Sequence, residues 1–191
     1  AADTRNLFAN RNCGFAKDIE GWTGVHEKSA SHESSDGDPA KGALAGTDHQ
    51  GSLRLQAPCI AVKPDTEYRI AVRLRIASGD LYVCGYTVYQ ADDAACENAS
   101  DPLVADAQPP EKSWQQMTGE TRTGATAKSV QLRLECSGEK SFRVLFDDVV
   151  GACRAVGRVI RSGVVPAALE IVDRRTIEAV EASVYAAGLP L

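Results

Sequence analysis

The chain has 191 residues and a mass of 20.3 kDa, which allows one full-sized domain with an appendage or two small domains. Its formal net charge is −5, so we expect no general attraction to nucleic acid or to an anionic membrane. No apolar run is long enough to span a bilayer. The chain opens on Ala1-Ala-Asp-Thr4 rather than on Met, as expected after removal of a signal peptide, and this predicts export.

The first part of the chain is rich in short strand patterns separated by Gly, Pro and Ser turns. The clearest strand pattern places Tyr68, Ile70, Val72, Leu74 and Ile76 on one apolar face and Arg69, Arg73 and Arg75 on the other. About eight strands are predicted: a short one near the N-terminus, 52–56, 59–62, 68–76, 81–89, 114–121, 129–136 and 142–146. Residues 23–51 and 92–110 are predicted as loops.

Four motifs in these strands resemble the jelly-roll carbohydrate-binding modules and their galactose-binding-like relatives. They are Asn6-Leu7, Asn12-x-Gly14-Phe15 followed by Gly21-Trp22, Pro64-Asp-Thr66-x-Tyr68, and the closing Asp147-Asp-Val149. The resemblance covers residues 5–150 and implies a mainly β fold, an antiparallel jelly-roll β-sandwich. Residues 1–150 are therefore predicted as one domain.

The resemblance raises the question of one bound group, a structural calcium ion. Many such modules carry Glu after the Gly-Phe pair and use it to hold a structural calcium, whereas this chain has Ala16 there. Asp147 and Asp148 supply the hard oxygen ligands that calcium prefers, or they cap the closing strand. We predict no other cofactor.

A sugar-binding surface is predicted from aromatic and planar polar side chains. Tyr82 and Tyr86 share one face of the strand 81–89, where rings could stack on pyranoses. Four polar side chains are predicted to flank the rings on the same wet surface: Arg73, Arg75, Gln131 and Arg133. The alternative is that the tyrosines are half-buried strand residues and the arginines a solvated face.

The six cysteines stand at positions 13, 59, 84, 96, 136 and 153. They form no Cys-x-x-Cys pair and have no His at zinc-ligand spacing, so disulfides in an oxidising compartment are favoured over metal ligation. We predict Cys84 with Cys96, because a short loop joins them, and Cys59 with Cys136, because both lie at strand ends. Cys13 competes for either pair, and Cys153 is predicted as a buried free thiol.

The last forty residues have a different pattern. Val149, Cys153, Val156 and Ile160 recur at helical spacing, a strand pattern spans 164–172, and a second helical pattern follows it. A helix-strand-helix appendage is predicted over 151–191. Residues 146–191 resemble a cap-domain segment of the FAD-linked glycolate oxidase and D-lactate dehydrogenase enzymes. The chain contains no flavin-binding half, so flavin chemistry is not expected.

No catalytic motif is found, neither a nucleophile elbow nor a phosphate-binding glycine loop nor a His-Glu-x-x-His helix. The predicted function is that of a secreted or cell-surface, non-catalytic binding module for carbohydrate or a cell-surface polymer. The alternative is a structural or adhesive subunit that assembles with copies of itself through its edge strands or its tail.

Overall fold

The computed structural model describes the backbone of residues 14–24, 26, 28–48, 50–139 and 141–153, and the side chains of these residues except 101 and 150–153. The described part of the chain forms β-strands joined by turns and loops. In chain order the strands are β1 (Thr23–Gly24), β2 (Ala30–Glu33), β3 (Ala43–Asp48), β4 (Ser52–Gln56), β5 (Ile60–Ala61), β6 (Glu67–Ser78), β7 (Leu81–Ala91), β8 (Asp101–Gln108), β9 (Gln115–Arg122), β10 (Ser129–Gly138) and β11 (Phe142–Cys153).

The strands form two antiparallel sheets. Sheet A has the order β1-β4-β10-β7-β8, with β5 also paired to β10, and sheet B has the order β2-β3-β11-β6-β9. The two sheets enclose the main apolar core, to which β4, β7 and β10 contribute from sheet A and β6 and β11 from sheet B. The predicted mainly β, antiparallel sandwich is therefore confirmed.

Alternation along the strands decides which side chains enter the core. On β6, Tyr68, Ile70, Val72 and Leu74 are buried, as predicted, while the intervening arginines face outward. On β10, Val130, Leu132 and Leu134 are buried in the same core. Residues of the opposite parity on each strand therefore form the outer faces of the sandwich.

Four strands, β1, β2, β3 and β8, lie in stretches that the sequence predicts as loops. Strand β3 shows no polar alternation because both of its faces are covered: Leu44 enters the main core, and Ala43 and Ala45 pack with Leu145 on the other side. Strand β8 is an edge strand that contains Pro102, a residue that weakens any strand prediction.

The closing strand β11 is longer than predicted. It continues past the bulge at Asp148, where φ is 45°, and pairs Val150, Gly151 and Ala152 with β6. Strand β11 thus runs across the predicted domain boundary at 150/151, and the helical start predicted at Val149 is wrong, because the sandwich uses these residues to complete sheet B.

The loop of residues 34–42 covers part of the outer face of sheet B. Asp36 and Asp38 form ion pairs with Arg75 and Arg73, and the backbone N–H of Asp38 donates to Asp147 Oδ2 at 2.6 Å. Arg75 also lies over the ring of Trp114, with 5.6 Å from Cζ to the ring centroid. The loop therefore covers the part of this face around Arg73 and Arg75, whereas Arg69 of β6 and Thr118 and Glu120 of β9 are exposed further along the face.

The hydroxyl of Tyr86 is buried inside the sandwich, and within the described residues it has no hydrogen-bond partner. Burial raises the pKa of this phenol to about 12. Gly119 of the opposite sheet makes room for it, since a Cβ there would stand 2.0 Å from the hydroxyl oxygen.

We expect Tyr86→Phe to leave the fold intact and to raise the free energy of unfolding by about 1 kcal/mol, because it removes a buried polar group that has no partner. Urea denaturation of the two proteins measures the difference. Tyr89→Phe, on the same strand but facing outward, serves as the control and should change stability little. A destabilised Tyr86→Phe protein would show that the hydroxyl is paired in solution.

The chain divides into two units, Ala1–Ala155 and Val156–Leu191, and all described residues belong to the first. From residue 154 onward the predicted helix-strand-helix appendage lies outside the described residues, as does Cys13. In the described part of the chain no helix has the length and apolarity needed to cross a membrane.

Candidate binding site

The two tyrosines predicted to form a platform lie in different environments. Tyr86 is only 2% exposed and packs in the core between the sheets, so it cannot stack on a ligand. Tyr82 is 61% exposed and lies near the start of β7, with its hydroxyl 3.4 Å from Glu139 Oε1. The pairing of these rings on one wet face is therefore wrong, because residues of their parity on β7, including Cys84, point into the core.

The four polar residues predicted to flank the rings are divided between the two sheets. Arg73 and Arg75 face outward from sheet B, where they are held by the acidic residues of the 34–42 loop. Gln131 and Arg133 face outward from sheet A. The two pairs lie on opposite faces of the sandwich, so a single surface made of all four is contradicted by the structure.

The outer face of sheet A brings a different set of side chains together. Arg133 of β10 lies over the ring of Tyr89 of β7, with 4.2 Å from Cζ to the ring centroid. One step further along the strands, Arg54 Nε donates to Glu135 Oε1 at 2.6 Å. Thr87 Oγ1 lies 3.5 Å from Glu135 Oε2 and links the two groups.

The strand register fixes this arrangement. Thr87 is directly opposite Arg133 and Gly85 is opposite Glu135, while Arg54 is opposite Glu135 on the other side of β10. Tyr89 is opposite Gln131, so the contacts of Arg133 with Tyr89 and of Thr87 with Glu135 are diagonal ones between β10 and β7.

A cleft of about 260 Å³ lies on this outer face. Its polar lining includes Arg54, Thr87 and Glu135, and small residues of β7 and β8 leave the space above the sheet open. Gly85 is needed here for close strand pairing, since a Cβ at this position would stand 2.3 Å from the carbonyl oxygen of Asp106. The cleft thus offers planar hydrogen-bonding groups beside a shallow apolar floor.

Two disulfides are present among the described residues, and they join Cys59 to Cys96 and Cys84 to Cys136. The four cysteines are those predicted, but the pairing is wrong. Cys84 and Cys136 stand directly opposite each other on β7 and β10 with 4.1 Å between their Cα atoms, and both face the core. Cys96 cannot reach that interior position, because the loop after β7 packs on the outer side of sheet A.

The two acidic residues predicted as calcium ligands lie in the bulge of β11. Asp147 is buried and accepts hydrogen bonds from the backbone N–H groups of Asp38 and Asp148. Burial raises the pKa of Asp147 to about 6, against the lowering effect of those two hydrogen bonds. Among the residues with described positions, no three His, Cys, Asp or Glu side chains are grouped so that they could hold a metal ion. Calcium binding stays a prediction.

Sequence reasoning missed the residues that do meet on sheet A, namely Tyr89, Thr87, Glu135 and Arg54. The sequence did contain a signal for which tyrosines of β7 face the core. Cys84 shares its parity with Tyr82 and Tyr86, and a structural disulfide normally lies in the core. Thr87 and Tyr89 have the opposite parity on the same strand and face outward.

Two family models match the chain. The model of the carbohydrate binding domain matches residues 9–140, and the model of the C-terminal domain of FAD linked oxidases matches residues 138–190. The second match is a short segment that lies mostly outside the described residues. No curated protein sequence matches the chain.

Solved structures with the same fold include three sugar-binding modules. The Family 16 Carbohydrate Binding Module-2 is 17% identical with a TM-score of 0.57, and the match covers 76% of this chain and 99% of that one. The xylan-binding CBM22-1 domain from Paenibacillus barcinonensis is 16% identical with a TM-score of 0.59, covering 80% and 97%. TmCBM61, solved with β-1,4-galactotriose, is 14% identical with a TM-score of 0.54, covering 77% and 97%. At these identities the likeness shows the fold.

Proposed function

Since the chain belongs to the carbohydrate binding domain family, we propose that it is a polysaccharide-binding module whose ligand lies on the outer face of sheet A. The observation that carries this proposal is the stack of Arg133 on Tyr89 beside the cleft that contains Arg54 and Glu135. The guanidinium of Arg133, supported by the ring of Tyr89, offers a planar face and N–H donors to a sugar, and the charged groups of the cleft pair with neighbouring hydroxyls.

The charges at the cleft support a neutral ligand. Arg54 and Glu135 form an ion pair, Asp106 adds a carboxylate to the lining of the cleft, and Arg133 is the charged group of the stack. A polyuronate would need several unpaired cations to offset its repeated carboxylates. We therefore expect a neutral glycan such as xylan or β-1,4-galactan, since one structurally similar module is described as xylan-binding and another was solved with β-1,4-galactotriose.

Export and the lack of catalysis are also part of the proposal. The two disulfides suit an oxidising compartment, and both family and fold point to a module that binds rather than cleaves. Self-association through the tail concerns residues outside the described ranges and stays a prediction.

The test is affinity gel electrophoresis of the full chain in gels containing soluble xylan or β-1,4-galactan. We expect Tyr89→Ala and Arg133→Ala each to lower the association constant obtained from the gel retardation by on the order of tenfold, since each removes a contact worth about 1.4 kcal/mol. Tyr82→Ala is the matched control, because it removes a more exposed tyrosine from the same strand outside the cleft.

The control variant also tests where on the sandwich the ligand binds. Loss of binding in Tyr82→Ala with full binding in Tyr89→Ala would place the ligand at the end of β7 and contradict the proposed face. Wild-type protein that migrates alike with and without either polysaccharide would contradict the proposed ligand class.

A further inference from the structure

The outward-facing residues of β10 lose their exposure toward one end of the strand. Arg133 and Glu135 are partly exposed, but Gln131 is 9% exposed and Ser129 is fully buried. These polar side chains do not face the core between the sheets, so something on the outer side must cover them. The cover over Ser129 is the segment of residues 92–100, which joins β7 to β8 and is called the 92–100 segment below.

Several contacts hold this segment against sheet A. Ser129 Oγ donates to the carbonyl oxygen of Asp93 at 2.6 Å and lies 3.2 Å from Cys96 Sγ. Cys96 is bonded to Cys59, which directly precedes β5, and β5 pairs with β10 at residues 129 and 130. Cys96 and Ala99 also pack with Cys59 and Tyr89 in a small apolar cluster.

The segment has its own internal support. The carboxylate of Asp93 accepts hydrogen bonds from the backbone N–H groups of residues 95, 97 and 98, at 2.8, 3.1 and 3.1 Å. The bond from the Asn98 N–H is the main reason that the pKa of Asp93 is lowered. These bonds order the backbone on both sides of Cys96.

The segment also touches the proposed binding residues. The carbonyl oxygen of Ala99 accepts a hydrogen bond from Arg133 Nη2 at 3.4 Å, and the guanidinium of Arg133 lies on the ring of Tyr89. Arg133 is thereby held between the segment and the ring. A free arginine loses considerable rotamer entropy when it is ordered by a ligand, and prior fixation removes that cost from binding.

We propose that the 92–100 segment borders the carbohydrate-binding face at Arg133 and Tyr89, next to the cleft, and that the Cys59–Cys96 disulfide and Asp93 are positioning residues that hold Arg133 ready for the polysaccharide. This inference rests on the proposed function. It assigns to the disulfide a role in affinity that is separate from its role in stability.

A double-mutant cycle tests this coupling with the full chain and soluble xylan or β-1,4-galactan, whichever the wild-type protein binds. We expect Cys59→Ala/Cys96→Ala to weaken binding about tenfold. If the disulfide acts through Arg133, then Arg133→Ala costs about tenfold in the wild-type background and less than twofold in the disulfide-free background. A merely structural role would leave the two effects additive, and additive losses overturn the proposal.

A second pair of variants keeps both disulfides and serves if the disulfide-free protein does not fold. Asp93→Ala removes the three backbone hydrogen bonds, while Asp92→Ala makes the same charge change at the adjacent exposed residue. Several-fold weaker binding in Asp93→Ala alone supports the proposal, and equal binding in the two variants overturns it. Wild-type protein that binds neither polysaccharide overturns the proposed function and this inference with it, whereas wild-type binding with unaffected variants overturns this inference only.

Discussion

Replacing both Cys84 and Cys136 with alanine should lower the free energy of unfolding by roughly 4 kcal/mol through chain entropy alone, since the disulfide closes a loop of 52 residues. The loss of two sulfur atoms from the core adds to this cost, because Cys84 and Cys136 are 0% and 4% exposed. Urea denaturation of the oxidised wild-type protein and the double variant measures the difference. A protein of this size loses much of its stability with such a change.

The Cys59→Ala/Cys96→Ala variant is the matched control. Its disulfide closes 37 residues, and the logarithmic dependence on loop length makes the expected entropic costs differ by only roughly 0.3 kcal/mol. A larger loss for the Cys84–Cys136 pair therefore reports the burial of that pair in the core. Peptide mapping without reductant checks the connectivity, and a peptide joining Cys84 to Cys96 would contradict the structure.

Raising the pH from 4 to 7 should destabilise the protein through Asp147. Burial raises the pKa of its carboxyl from 3.8 to about 6, so the folded state holds the proton more tightly than the unfolded state does. The stability that this group contributes is present below pH 3.8 and is lost as the pH rises through 6. The loss is at most about 3 kcal/mol, since one pKa unit corresponds to about 1.36 kcal/mol. The nearby charges are Asp38, Asp148 and Arg73, which pairs with Asp147 in the β6–β11 register.

Asp147→Asn removes the titration while keeping one oxygen acceptor for the backbone N–H of Asp38 or Asp148. Urea denaturation at pH 4.5 and 7.5 measures the free energy of unfolding of wild type and of Asp147→Asn. Between these two pH values we expect the wild type to lose up to about 2 kcal/mol relative to the variant. Asp148→Asn is the control, since Asn tolerates the positive φ there, and it should keep most of the wild-type slope. The same pH dependence in wild type and Asp147→Asn would show that another group titrates.

Part of this molecule follows from local sequence pattern. The two-residue alternation on β6 is strong enough to identify a strand with one buried face, and the structure buries Tyr68, Ile70, Val72 and Leu74 as predicted. The spacing of the cysteines, without any metal-ligand motif, likewise indicated disulfides, and the four cysteines whose side chains the structure describes form them. The family resemblance also lay in short motifs readable without coordinates.

Other features depend on which strands become neighbours, and a single sequence contains no direct record of that. Alternation shows that Tyr86 and Tyr89 point to opposite sides of β7, but only the position of sheet B decides which side is the core. Arg73 and Arg133 are both flanked by apolar residues in the sequence, yet they stand on opposite faces because β6 and β10 belong to different sheets.

The disulfide pairing was decided in the same way. Cys84 is 12 residues from Cys96 and 52 from Cys136, but β10 pairs with β7 so that Cys136 lies directly opposite Cys84. Sequence distance estimates only the entropy of closing a loop, whereas a disulfide needs its two Cα atoms within about 7 Å and its side chains facing each other. The amino-acid sequence therefore determined strands β4–β7 and β9–β11, the cysteines that crosslink and the family, while tertiary packing decided the remaining strands, the partners and the face on which Tyr89 and Arg133 meet.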